Sequence, residues 1–113
     1  MEFKPAFSNF EAFEQAISND EAALCYLSHD GCNVCKVLKP KVYKMLQEKF
    51  PGILFYYVNT RETPDIAAQN SVFSVPTIIQ FFQGKESIRK SRNISLSDLE
   101  KELERPYELL FER

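Results

Sequence analysis

The heptapeptide Ala22-Ala23-Leu24-Cys25-Tyr26-Leu27-Ser28 constrains this chain most. It is apolar at nearly every position, with none of the alternation of a strand that has one wet face. Such a run is expected for a β-strand covered on both sides, which requires a sheet between two layers of helix. Ile53-Leu54-Phe55-Tyr56-Tyr57-Val58 and Thr77-Ile78-Ile79-Gln80-Phe81-Phe82 read as further strands. Helical segments fall between them. Ser8 or Asn9 caps a first helix carrying Phe10, Phe13, Ala16 and Ile17, with Glu11 completing a capping box from Ser8. Val34 to Phe50 is a long helix kinked at Pro40 and stopped by Pro51-Gly52. Pro64 opens a short helix through Ala67 and Ala68. Ser95 or Ser97 caps a last helix bearing Leu96, Leu99, Leu103 and Leu110. Gln83-Gly84-Lys85 turns the third strand into a hairpin with Glu86–Ser91. Met1 to Phe7 supplies a short edge strand interrupted by Pro5. The class is α/β: a parallel core, with one hairpin adding an antiparallel strand at the edge, in a single domain over residues 1–113.

Between the buried strand and the long helix lies Cys32-Asn33-Val34-Cys35. A CxxC pair closes a reducible disulfide or contributes two ligands to a metal site. Its position favours the first. A helix N-terminus lowers the pKa of a thiol, and the thiolate is the species that attacks disulfides. His29 extends the motif to His-x2-Cys-x2-Cys, three potential ligands, but no obvious fourth ligand and no second CxxC follow. His29 then reads as an exposed loop residue, and no metal or other cofactor is expected. Cys25, in mid-strand, reads as a small buried hydrophobe.

Bulk properties narrow the function. The net charge is −2, which argues against nucleic acid. Apolar runs are strand-sized, so no membrane span is expected. The N-terminus lacks a basic segment followed by an apolar one, so a cytoplasmic location is expected. There structural disulfides are rare, and an odd count of three cysteines makes a poor framework. Arg89-Lys90-Ser91-Arg92 reads as a solvated edge that resists aggregation.

The chain resembles the thioredoxin family over nearly its whole length. The resemblance is carried by the strand-loop-helix unit His29-Asp30-Gly31-Cys32-Asn33-Val34-Cys35-Lys36, by Pro40 in the same helix, and by Ser74-Val75-Pro76-Thr77 ahead of the Gly84 turn. It implies a thioredoxin fold, a central mixed sheet of four to five strands flanked by about four helices. It also implies a cis proline at Pro76 beside the disulfide, Cys32 as nucleophile and Cys35 as resolving thiol. Gly31, Val34, Val75 and Pro76 then form the surface that holds the substrate chain. The implied partners are protein disulfides and a flavin-dependent thioredoxin reductase drawing on NADPH, with the protein a monomer. The alternative is a non-catalytic binding module of the same fold.

Four departures stand at the centre of the motif. Gly31 replaces a Trp, and Asn33-Val34 replaces Gly-Pro. Tyr26 occupies the place of a buried Asp, and Tyr57 that of a Lys. Val34 gives the helix start an N–H that proline lacks, which favours the Cys32 thiolate. Without a buried carboxylate, Cys35 is expected to lose its proton slowly. The position of the family's groove glycine falls near Arg92-Asn93, so the resemblance offers a role for Arg92 in attracting acidic partners as the alternative to a solvated edge.

Overall fold

A computed structural model describes residues 6–112. The elements run α1 (Phe10–Asn19), β1 (Ala22–Ser28), α2 (Asn33–Lys49), β2 (Leu54–Asn59), α3 (Pro64–Gln69), β3 (Thr77–Phe82), β4 (Lys85–Ser91) and α4 (Leu96–Phe111). The four strands form one sheet in the order β2-β1-β3-β4. β1 pairs parallel with β2 and antiparallel with β3, and β3 pairs antiparallel with β4. The mixed four-strand sheet and its four flanking helices agree with the fold the sequence implies, but the antiparallel pairing is not confined to the edge: β3, an internal strand, already runs antiparallel to β1, and only β1 and β2 are parallel. The expected edge strand over Met1–Phe7 lies outside the described residues apart from Ala6 and Phe7. Ala6 donates its N–H to the Tyr57 carbonyl at 2.8 Å, on the β2 side of the sheet.

All seven residues of β1 are buried, as its unbroken apolar run requires. Side-chain alternation divides them between two cores. Ala22, Leu24 and Tyr26 face α2 and α4, where they meet Val42, Leu46, Leu99 and Leu103. Ala23, Cys25 and Leu27 face α1 and α3, with Phe13, Ile17, Ile66 and Ala67. The two layers of helix are what keep the central strand dry on both faces.

The local signals act where the side-chain chemistry places them. Asn9, rather than Ser8, caps α1, its Oδ1 accepting from the Ala12 N–H at 2.8 Å. Ser95, rather than Ser97, caps α4 through the Asp98 N–H. Thr63 precedes α3 without a side-chain cap; its Oγ1 donates instead to the Asn59 carbonyl. Gln83 and Gly84 both take positive φ, 53° and 79°, as a two-residue hairpin loop with right-twisted strands demands. Beyond the loop one extra residue in β4 bulges the ladder near Gln80 and Phe81.

Leu103 is fully buried between α4 and the sheet. Leu103→Ala is expected to lower the unfolding free energy by about 2–5 kcal/mol, and Asn9→Ala by about 1 kcal/mol. Urea denaturation of both variants checks the order; a cap variant as damaging as the core variant would contradict it.

Candidate active site at the start of α2

β1 ends at Ser28, and three residues later the chain enters α2 with Cys32 as its N-cap. The turn is fixed by the Cys32 N–H donating to the His29 carbonyl at 3.2 Å. The Gly31 N–H donates to His29 Nδ1 at 3.1 Å, so one imidazole nitrogen is occupied within the loop itself. Among the described residues, no three His, Cys, Asp or Glu side chains gather as potential metal ligands.

Cys32 and Cys35 are joined by a disulfide. The two sulfurs sit in different surroundings. Cys32 is half-buried, whereas Cys35 is 1 % exposed and belongs to the α2–α4 core. The Cys32 sulfur accepts the Cys35 N–H at 3.2 Å, as a cap side chain does. It therefore lies against the positive end of the α2 dipole. Backbone N–H groups of a helix's first turn have no intrahelical acceptor, and the N–H of Val34 is one of these.

Beneath the cysteines the two replacement tyrosines face each other. Tyr26 and Tyr57 are directly opposed in the β1–β2 ladder and both are buried. The Tyr26 hydroxyl donates to the Cys35 carbonyl at 2.7 Å, tying the central strand to the first turn of α2. Burial, and then the neighbouring Tyr57, hold the Tyr26 phenol above its usual range. It is a fixed donor at neutral pH. Burial also raises the Tyr57 phenol; its hydroxyl lies beside Ser28 and Asn59 but makes no well-formed hydrogen bond. Lys39, one turn beyond Cys35, places its Nζ 3.7 Å from the Tyr57 ring centroid. Burial lowers the Lys39 pKa, opposed by the Asp30 carboxylate and reinforced by Lys36. The lysine absent at position 57 is thus matched by a cation arriving from α2.

The remaining expected residues divide around this turn. Gly31 is covered by Arg61: a Cβ there would stand 3.1 and 3.2 Å from the guanidinium nitrogens. A side chain at position 31 would require the Arg61 guanidinium to give way by a few tenths of an ångström. Val75-Pro76 is joined by a cis peptide, as the resemblance implies, and Val75 packs against the same core cluster as Cys32. Val75 also lines a shallow depression with His29, Val72 and Phe73. Val34 lies in a different hollow, with Val37, Lys41, Arg92 and Ile94. The backbone N–H of Arg92 donates to the Pro76 carbonyl at 2.8 Å and so anchors that hollow to the proline loop.

A strand-loop-CxxC-helix unit beside a cis Val-Pro is the arrangement the sequence resemblance implied. A family model described as Thioredoxin matches residues 4–105. The chain belongs to the thioredoxin family. It is 31% identical over 98 residues to the thioredoxin-like protein YdfQ of Bacillus subtilis, covering 87% of each chain. It is 31% identical over 80 residues to thioredoxin-1 of Saccharomyces cerevisiae, covering 71% of this chain and 77% of that one. Among solved structures, oxidized mitochondrial thioredoxin 3 of Saccharomyces cerevisiae superposes with a TM-score of 0.77. That comparison covers 87% of this chain and 91% of the other at 24% identity, and it bears on the fold. Membership of this family, with two cysteines at disulfide distance, indicates thiol–disulfide oxidoreductase chemistry.

Sequence reasoning passed over Arg61, Lys39, Val37 and Lys41. The last two carried a signal, since they follow Val34 at helical spacing, three and seven residues on. Arg61 and Lys39 carried none, because their positions depend on contacts across the sheet.

Tyr26→Phe removes the hydroxyl and keeps the ring. It is expected to lower stability by about 1 kcal/mol, the net value of one neutral hydrogen bond. Urea unfolding of the oxidised protein measures this; no loss at all would show that the bond to Cys35 holds nothing together.

Proposed function

We propose that this protein exchanges electrons with protein disulfides through a reversible Cys32–Cys35 dithiol/disulfide. The single observation carrying the proposal is the asymmetry of the pair: one sulfur half-buried at a helix N-terminus, the other inside the core one turn on.

In the reduced protein the Cys32 thiolate attacks one sulfur of a substrate disulfide. A Cys32–substrate disulfide forms and the other substrate sulfur leaves as a thiolate, to be protonated. The Cys35 thiolate then attacks the Cys32 sulfur, closing Cys32–Cys35 and releasing the second substrate thiolate. Two electrons pass to the substrate and the protein becomes its own disulfide. A dithiol donor restores the pair by the reverse exchange; by analogy with the family, a flavin-dependent thioredoxin reductase serves as that donor.

Two replacements set the character of the site. Val34 leaves one more N–H at the helix start than a proline would, which stabilises the Cys32 thiolate and the reduced form. Tyr26 offers Cys35 no carboxylate, so the proton of the resolving thiol leaves without a buried base at position 26. Val75 and Val34 line separate hollows; in this reading Gly31, Val34, Val75 and Pro76 hold the substrate chain.

Insulin reduction driven by dithiothreitol tests the reading. Wild type is expected to accelerate the precipitation of insulin chains, and Cys32→Ser to give only the rate of dithiothreitol alone. Equal rates for the two proteins would contradict the reading and leave a non-catalytic binding module.

A further inference from the structure

Three basic residues at the end of the hairpin read in the sequence as one solvated run, Arg89-Lys90-Ser91-Arg92, with a polar serine among them. In three dimensions the cations part company. Arg89 bridges Glu86, and Lys90 bridges Glu102 on α4. Among the described residues Arg92 has no ion-pair partner, and neither has Lys41. These two unpaired cations line the same open groove of ≈ 690 Å³. Its floor is apolar, built from Val34, Val37, Leu38 and Ile94, and none of its lining residues is acidic. Asp98, in the first turn of α4, does not line it. Val34 and Val37 are 63% and 60% exposed, an uncovered apolar face adjoining Cys32.

The backbone at Arg92 carries an independent observation. Its φ is 66°, in the left-handed region where a Cβ is unfavourable and glycine is at ease. The strain persists because the Arg92 N–H is held by the Pro76 carbonyl and the chain must turn there. A glycine would serve the turn better. An arginine in a strained position at the rim of a reactive site is the kind of outlier that points to a use for the side chain.

We propose that Arg92, with Lys41, selects substrates whose disulfide is flanked by acidic residues, the acidic segment lying in the groove between α2 and the β4–α4 loop. This rests on the oxidoreductase reading above and adds the substrate class to it; the redox step is unchanged. Opposite charge across the groove speeds encounter and orients the chain, an effect that salt screens. The protein as a whole carries a net charge of −2, so this attraction is local to the site rather than a property of the surface.

The test uses two synthetic peptides, each with one intramolecular disulfide. They are identical except that three residues flanking one cysteine are Glu in the first and Gln in the second. The kcat/KM for each is divided by the rate with dithiothreitol alone, which removes intrinsic differences between the disulfides. Wild type is expected to favour the Glu peptide by about threefold to tenfold at low ionic strength, and by far less in about 0.5 M salt. Arg92→Gly lowers the ratio, Arg92→Gly combined with Lys41→Gln brings it close to one, Arg92→Glu lowers it further than Arg92→Gly, and Arg92→Lys keeps it. Because glycine relieves the left-handed backbone, Arg92→Gly melts no lower than wild type. A wild-type ratio of one, or a ratio that survives undiminished in Arg92→Gly and Arg92→Glu, overturns the selection by Arg92 while leaving the oxidoreductase reading intact. A wild type that reduces neither peptide overturns both.

Discussion

Burial of β1 on both faces is the constraint from which the rest of the molecule follows. A strand with no wet face needs neighbours on both edges and helices on both sides, and this chain supplies them with β2, β3 and the two helical layers. The C-terminal end of such a strand is fixed in space to within a hydrogen bond. A three-residue loop then delivers Cys32 to the N-cap of α2. The Cys32 sulfur is therefore placed just beyond a strand buried on both faces, at the positive end of the dipole of the helix it caps.

Tyr26 makes the dependence explicit. It is part of the buried strand, part of the α2–α4 core, and the donor to the Cys35 carbonyl. A carboxylate in that place would be a proton acceptor; a phenol raised by burial is a structural donor. Tyr57 faces it across the ladder, and Lys39 brings a cation back to the Tyr57 ring from above. Two opposed phenols with one lysine at their margin occupy this place.

Much of the scaffold was legible because it depends on local pattern. The unbroken apolar run of β1, the Gln83-Gly84 turn, Pro64 at a helix start and the CxxC between strand and helix each express a short-range rule. Choices between adjacent cap residues, Asn9 over Ser8 and Ser95 over Ser97, were not legible, because two neighbours offered the same chemistry. The surroundings of the site were less legible for a different reason. Arg61 over Gly31, Lys39 against Tyr57 and the ion pairs that remove Arg89 and Lys90 but spare Arg92 are all contacts between distant segments. A run of cations in one strand looks uniform until the acids opposite each are known.

The central claim is that the start of α2 makes Cys32, and not Cys35 or Cys25, the reactive thiolate. Cys25 is fully buried, and burial raises its thiol pKa. The pH dependence of alkylation of the fully reduced protein, with the labelled residue located by mass spectrometry, tests the claim most directly. The account predicts label on Cys32 with an apparent pKa below about 8.5, the value for a free thiol, and an upward shift in Val34→Pro. A Cys32 that titrates at or above the free-thiol value, or a first label on Cys35 or Cys25, would contradict it.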